Sequence, residues 1–193
     1  MVVNCYEFHH ILPLTRAHKA ALARAVTDWH ATTFKAPRFI VNCKFVDIRA
    51  QSSDDNWIGG LAMKTNRLDI FLRSGTGRTA QQYQDITTKL VSIWDDAVKD
   101  VQTAAESDKE LKDVFILGVF DSAFERGFFL PMPGNFEEWV IENKPQFQKL
   151  ADGGDETFKG LLKEVAERPE FQASEVQTSK EDGDQDTYPD QFA

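Results

Sequence analysis

Residues 67–100 read RLDIFLRSGTGRTAQQYQDITTKLVSIWDDAVKD and contain a strand pattern followed by a helix pattern. Apolar and polar side chains alternate over residues 67–73, which predicts a strand. Thr79 can then cap a long helix. An apolar stripe follows at helical spacing, through Tyr83, Ile86, Leu90, Ile93, Trp94, Ala97 and Val101. Residues 114–120 predict a buried second strand. Two strands joined through a helix normally run parallel, so the stretch predicts a β-α-β unit.

The same order of elements precedes this stretch. Residues 4–11 are typical of a strand, Thr15 caps an amphipathic helix, and residues 39–46 alternate as another strand. The chain therefore predicts one α/β domain made of two consecutive β-α-β units, at about residues 4–49 and 67–120.

Beyond Gly134 the apolar spacing predicts two short helices, one through Phe136 and Trp139 and one through Phe158 and Leu161. The last 26 residues carry seven acidic and two basic side chains, a composition typical of disorder. We thus expect a domain over residues 1–150, an accessory helix over residues 151–167 and an acidic disordered tail over residues 168–193.

Composition restricts the kinds of partner. The 193 residues have a net charge of −9 and a pI near 4.9, the wrong sign for non-specific binding to nucleic acid or to anionic membranes. No stretch is long enough to span a membrane, and the first residues do not form a signal peptide. Cys5 and Cys43 lie in apolar runs without metal-ligand spacing, which favours reduced thiols in a cytoplasmic protein.

Two arginines predict an anion site. Arg73 ends the second predicted strand, and Arg78 precedes the helix that Thr79 caps. Two guanidinium groups and a helix amino terminus would converge there on a small carboxylate. The alternative is a strand-to-helix turn with two solvated arginines. No lysine follows the glycines of residues 74–77, so the loop is not a nucleotide-binding P-loop.

Further candidates are a histidine and a glutamate. His30 lies near the carboxyl end of the first helix, where an imidazolium could equally serve as a cap. Glu125 follows the last core strand and could orient a water molecule, although a surface role is the alternative. His9 and His10 point to opposite faces of a strand, so we assign no metal and no cofactor.

A set of motifs in fixed order covers the chain from Tyr6 to Leu150. Its members are Tyr6-Glu7-Phe8, Leu14-Thr15, AVTDWH at 25–30, WIGG at 57–60, RSG at 73–75, GRT at 77–79 and GFFLP at 127–131. The set resembles the tautomerase superfamily, in its cis-3-chloroacrylic acid dehalogenase branch. Residues 139–144 are similar to those of fungal-type members.

The resemblance implies a mainly four-stranded sheet with helices on one face, followed by carboxyl-terminal helices. It also implies a homotrimer whose active sites lie at the amino end of the first strand. Family members tautomerise, hydrate or dehalogenate small unsaturated acids with an amino-terminal proline as acid or base. By motif match His30 binds the substrate, Arg78 binds its carboxylate and Glu125 activates water. Arg73 matches less closely, and no tyrosine stands near Leu117, where the family has an activating one.

The chain departs from the family at its start, because no proline precedes Pro13. Counting from the terminus puts Val2 at the proline position, whereas counting back from Tyr6 puts Asn4 there. After removal of the initiator methionine, Val2 would present a primary amine with a pKa of about 7.7–8.0, suited to acid-base or Schiff-base chemistry.

Three functions therefore stay open. The chain can be an enzyme acting on a small unsaturated or enol carboxylic acid, or a catalytically silent trimer that binds such an acid. It can also be a structural protein whose acidic tail recruits a basic partner.

Overall fold

The computed structural model describes residues 5–73, 78–120, 124–131 and 134–171, with side chains except those of residues 73, 119 and 120. The strands are β1 (Cys5–His10), β2 (Asn42–Asp47), β3 (Trp57–Ile58), β4 (Leu61–Ala62), β5 (Asn66–Arg73), β6 (Leu111–Phe120), β7 (Phe124–Glu125) and β8 (Phe128–Phe129). The α-helices are α1 (Arg16–Phe34), α2 (Ala80–Val98), α3 (Phe136–Asp152) and α4 (Glu156–Glu167).

The main sheet has four strands in the order β2-β1-β5-β6. β1 runs parallel to β2 and β5 runs parallel to β6, whereas the central pair, β1 and β5, is antiparallel. Helix α1 connects the first parallel pair and α2 connects the second. The predicted fold of two consecutive β-α-β units is therefore confirmed. Two further hairpins, β3-β4 and β7-β8, lie outside this sheet.

Both helices cover the same face of the sheet. Tyr6 and Phe8 of β1 have no exposed surface and pack in one cluster with residues of α1 and α2. The ring of Phe8 stacks on Trp94 of α2 at a centroid distance of 5.8 Å. Burying one such aromatic side chain stabilises the fold by about 1.5–3 kcal/mol. This cluster accounts for the apolar spacing in the sequence.

Each helix begins at the threonine that the sequence indicates. The Thr15 hydroxyl accepts a hydrogen bond from the His18 backbone, and the His18 ring accepts one from the Thr15 backbone. Thr79 and Gln82 make the same reciprocal pair at the start of α2. Such caps are each worth about 1 kcal/mol. They fix where both helices start and thus where the preceding loops end.

One predicted strand begins later in the structure. Residues 39–46 alternate in hydrophobicity, but Arg38–Ile40 form a 3₁₀ turn and β2 starts at Asn42. Asn42 is the residue that pairs with Cys5, at the start of β1. Ile40 is fully buried in a second apolar cluster, beneath the carboxyl-terminal helices. An apolar residue at this position therefore reflects burial against those helices and not pairing in the sheet.

Helices α3 and α4 build that second cluster, whose aromatic members include Phe128, Trp139, Phe147, Phe158 and Phe171. The residues just after α4 are part of it. Arg168 donates hydrogen bonds to the carbonyl oxygens of Ala31, in the last turn of α1, and of Ala36, just past its end. Phe171 is 1% exposed. Residues 168–171, which charge alone places in the tail, thus pack on the folded chain; residues 172–193 lie outside the described part.

The sheet face opposite α1 and α2 carries a network of charges. His9 Nε2 lies 3.2 Å from a Glu7 carboxylate oxygen and 3.3 Å from one of Asp69, and Arg67 lies 3.0 Å from Asp69. Beside the network, Phe115 and Leu117 of β6 are 51% and 40% exposed. We call these residues of β1, β5 and β6 the open sheet face. It combines exposed apolar side chains with charges that are paired within one chain.

Candidate active site at one edge of the sheet

The topology brings four strand ends to one edge of the sheet. β1 and β2 both begin there, because Cys5 pairs with Asn42. β5 and β6 both end there, because they run parallel to each other and antiparallel to β1. We call this the site edge. It is the edge at which Arg73, the last residue of β5, pairs with Phe120.

His30 reaches the site edge from the last turns of α1. It is 3% exposed, and its Nδ1 lies 2.6 Å from the hydroxyl oxygen of Tyr6 on β1. Its ring also contacts Phe34 at a centroid distance of 4.7 Å. Burial, reinforced by the positive charge of Arg78, lowers the pKa of His30 to about 3. His30 is therefore a neutral imidazole at physiological pH and not a cationic helix cap.

Arg78 lies next to this histidine. Its guanidinium carbon is 5.4 Å from the centroid of the Phe34 ring, a cation-π geometry. The side chain lines a cavity of about 380 Å³ between α1 and α2, together with Trp29, Thr33, Phe34, Gln82, Asp85 and Ile86. This cavity combines one guanidinium group and one carboxylate, that of Asp85, with aromatic walls. Its guanidinium group can pair with a small anion, and its aromatic walls can contact an apolar or unsaturated part of that anion.

Glu125 is held at the same edge by an asparagine. The Asn42 side-chain amide donates to the Glu125 carboxylate at 3.3 Å and to the Ile40 carbonyl oxygen at 3.2 Å. Glu125 is half-buried on the short β7-β8 hairpin, whose turn contains Arg126 and Gly127 at positive φ. Since Asn42 pairs with Cys5, the contact ties Glu125 to the beginning of β1. The hydrogen bond from Asn42 thus holds the Glu125 carboxylate near the beginning of β1.

Three predicted site residues are not tested by this geometry. Val2 and Asn4 lie outside the described residues, as does the loop at 74–77. The backbone of Arg73 ends β5 at the site edge, but its side chain is outside the described part. Their roles stay predictions. What the structure brings to one edge is His30, Arg78 and Glu125.

Sequence reasoning missed two residues of the site as contributors, Tyr6 and Asn42. Each lies in an apolar strand-like run, and each contacts a candidate residue that is distant along the chain. The sequence feature that could have identified them is a polar group within an apolar strand. A tyrosine hydroxyl or an amide on a buried strand requires a partner.

The two cysteines are poor nucleophiles. Burial raises the pKa of the Cys43 thiol to about 12 and also raises that of Cys5. In the described part of the chain, no three His, Cys, Asp or Glu side chains are grouped so as to hold a metal ion. Within the same residues, no helix has the length and apolar character needed to cross a membrane.

The chain is similar to known proteins in sequence and in fold. Residues 4–144 match the family model described as "Putative oxalocrotonate tautomerase enzyme". No curated protein matches the chain.

Three solved structures share the fold. N1, a member of the cis-3-chloroacrylic acid dehalogenase family, is 23% identical, with a TM-score of 0.58 over 77% of this chain and 99% of that one. Native RhCC from Rhodococcus jostii RHA1 is 19% identical, with a TM-score of 0.54 over 72% and 96%. A probable enzyme from the thermophilic fungus Aspergillus fumigatus is 21% identical, with a TM-score of 0.53 over 74% and 96%.

The family model spans most of the 193 residues, and the shared fold extends over nearly the whole of each of these structures. The resemblance in the ordered motifs is thereby confirmed. The chain belongs to the tautomerase superfamily, in the oxalocrotonate tautomerase-type family that this model describes.

Proposed function

We propose that this protein is an enzyme that binds a small unsaturated or enol carboxylic acid at the site edge and moves a proton on it. The reaction is keto-enol tautomerisation, or hydration or dehalogenation of the double bond. One observation carries the proposal: a buried neutral imidazole, His30, lies beside Arg78 at the edge where Glu125 is held. A cation, a neutral hydrogen-bonding ring and a carboxylate form a set suited to this chemistry.

The residue that we propose binds the substrate carboxylate is Arg78. A guanidinium group forms two parallel hydrogen bonds to a carboxylate, and such charge-assisted bonds are stronger than neutral ones. The Phe34 ring lies against the guanidinium group and favours its placement beside the cavity. Arg73 is proposed as a second, weaker contact, since it ends β5 at the same edge.

Glu125 is the proposed proton carrier. In tautomerisation it accepts the proton of the enol hydroxyl and returns a proton to the adjacent alkene carbon, so that an enol acid becomes a keto acid without any oxidant or reductant. In hydration it accepts a proton from water while the water oxygen adds to one carbon of the double bond and the other carbon takes up a proton. In dehalogenation the hydrated carbon then releases halide and a proton, as its hydroxyl becomes a carbonyl. The amine of Val2, or the residue Asn4, would take the place of the family's proline as a second participant.

We also propose that the protein assembles as a homotrimer through the open sheet face. The exposed Phe115 and Leu117 would lose contact with water there, and the charges around His9 are already paired within one chain. The free thiols of Cys5 and Cys43 support a reducing compartment, which we propose is the cytoplasm.

A second candidate function is a catalytically silent carboxylate-binding protein. The observation that favours it is that neither candidate position, Val2 or Asn4, holds a proline. Both functions use Arg78, so binding alone does not separate them.

The test is the decay of the enol absorbance of phenylenolpyruvate with and without the protein. An enzyme accelerates ketonisation above the rate in buffer. A silent protein binds the acid, as isothermal titration calorimetry would show, and leaves the rate unchanged.

A further inference from the structure

The contact between Tyr6 and His30 has a defined direction. Tyr6 lies on β1 with no exposed surface, and its hydroxyl oxygen is 2.6 Å from Nδ1 of His30. The two rings meet edge to face, with a centroid distance of 5.9 Å and an interplanar angle of 80°. Burial raises the pKa of the Tyr6 hydroxyl, so this hydroxyl keeps its proton.

A hydrogen bond between a hydroxyl and a neutral imidazole can run either way. If Nδ1–H donated to the Tyr6 oxygen, the buried O–H of Tyr6 would need another acceptor. Within the described residues, Nδ1 of His30 is the hydrogen-bond partner of that hydroxyl. A buried donor left without an acceptor is destabilising, because its lost hydrogen bond to water is not replaced. The Tyr6 hydroxyl is therefore the donor, and Nδ1 is the acceptor.

We propose that Tyr6 is a positioning residue that holds His30 in the tautomer protonated at Nε2, so that the ring offers a hydrogen-bond donor to an oxygen atom of the bound acid. Nδ1 is occupied by the Tyr6 hydroxyl, and a neutral ring carries one proton. An Nε2–H group attracts a carboxylate or enolate oxygen, whereas an Nε2 lone pair would repel it. The identity of the bound acid rests on the proposed function; the tautomer does not.

The assignment also separates the roles of two site residues. A His30 ring with its proton on Nε2 and its other nitrogen occupied has no lone pair with which to accept a substrate proton. Proton transfer then falls to Glu125, or to the amine at the chain's start. His30 instead stabilises negative charge on oxygen as it develops.

The first test determines the tautomer of His30 by NMR, in the protein without ligand. Long-range ¹H–¹⁵N correlation spectra of the histidine rings distinguish a protonated from an unprotonated ring nitrogen. His30 is assigned by the cross-peaks that disappear in His30→Gln. We expect a protonated Nε2 and an unprotonated Nδ1 in the unaltered protein. A protonated Nδ1 there would overturn the proposal without any need for a variant.

The variant Tyr6→Phe removes only the hydroxyl. We expect its His30 cross-peaks to shift toward the other tautomer or a mixture, and its kcat/KM for phenylenolpyruvate to fall about 10-fold, the loss of one hydrogen bond of about 1.4 kcal/mol. The matched control is Tyr83→Phe on α2, which leaves the His30 tautomer unchanged. A His30 pattern identical in Tyr6→Phe and the unaltered protein would overturn the proposal.

The two proposals can fail separately. If phenylenolpyruvate is not turned over, the proposed enzymatic function fails while the ring spectra still decide the tautomer. If turnover is present but Nδ1 carries the proton, the positioning role of Tyr6 fails while the enzymatic function stands.

Discussion

The guanidinium carbon of Arg78 lies 5.4 Å from the centroid of the Phe34 ring, and this contact links the start of α2 to the end of α1. Phe34 also contacts His30. The aromatic ring thus holds a cation and a neutral imidazole on one side of the site edge. A cation-π contact of this kind contributes about 0.5–2 kcal/mol, enough to favour one placement of a long side chain.

The first prediction concerns carboxylate binding. Arg78→Ala should weaken the binding of a small keto acid such as phenylpyruvate about 10- to 100-fold, because a charge-assisted hydrogen bond is worth about 1.5–3 kcal/mol. Arg78→Lys should recover only part of the affinity, since an ammonium group lacks the planar fork. Isothermal titration calorimetry measures both. Arg24→Ala, an exposed change on α1, is the control and should bind normally. Equal affinity in all four proteins would show that Arg78 does not bind the carboxylate.

The second prediction concerns the pH dependence of stability. The pKa of His30 is lowered from 6.5 to about 3 by burial and by Arg78, so the unfolded chain binds a proton that the folded chain does not. The stability that comes from keeping His30 neutral is fully present above pH 6.5 and is lost as the pH falls from 6.5 toward 3. The free energy of unfolding should then drop by up to about 1.4 kcal/mol per pH unit from this group.

Urea unfolding between pH 6.5 and 4.5 checks this sign. His30→Gln should flatten the slope, leaving the part that comes from other groups such as His10, whose pKa burial also lowers. His18→Gln is the control, because glutamine can keep the capping box at the start of α1. An unchanged slope in His30→Gln would show that this imidazole is not buried in its neutral form.

The third prediction concerns the attachment of the carboxyl-terminal helices. Arg168 donates to Glu164 at 2.7 Å and to the carbonyl oxygens of Ala31 and Ala36, and Glu164 is only 8% exposed. Arg168→Ala leaves that carboxylate without its cation and should destabilise the protein by about 3 kcal/mol. Chemical denaturation measures the change.

A double variant tests the reason for that loss. Burial raises the pKa of Glu164, so its charge is costly once Arg168 is removed. Glu164→Gln combined with Arg168→Ala should be less destabilised than Arg168→Ala alone. Lys163→Ala, which alters an exposed pair with Glu167, should have little effect. Full stability in Arg168→Ala would mean that the segment after α4 does not hold the helices in place.

The fourth prediction concerns assembly. Leu117→Arg puts a charge among the apolar side chains of the open sheet face and should convert the proposed trimer to monomers. Sedimentation equilibrium measures the mass. Ile141→Arg, at an exposed position of α3, should leave the mass unchanged. A monomeric unaltered protein, or a trimeric Leu117→Arg variant, would contradict assembly through this face.

Hydrophobic periodicity was sufficient to predict the fold. Burial of one face places an apolar residue at every second position of a strand and at every third or fourth position of a helix. The stripe from Ile86 to Trp94 and the alternation through Ile70 both correspond to the core. Periodicity misplaced the start of β2, since Ile40 is buried against the carboxyl-terminal helices and not by the sheet. Counting charges likewise placed Arg168 in the tail, because composition does not show its hydrogen bonds to the carbonyl oxygens at the end of α1.

The candidate site could be predicted only in part. The motifs indicate His30, Arg78 and Glu125, but a motif does not show what orients them. Tyr6 and Asn42 supply that orientation across 24 and 83 residues of sequence. Such contacts depend on how the elements pack, and local sequence carries little information about them.

The most direct test of the central claim is the turnover of phenylenolpyruvate by Glu125→Gln, measured with its binding in the same preparation. We expect the unaltered protein and the control Glu142→Gln, an exposed change on α3, both to accelerate ketonisation. Glu125→Gln should bind phenylpyruvate with nearly unchanged affinity and lose the acceleration, about 100-fold or more, as expected for a general acid-base group. Acceleration that persists in Glu125→Gln would show that Glu125 is not the proton carrier, and acceleration that is absent from the unaltered protein would show that the protein is not this enzyme.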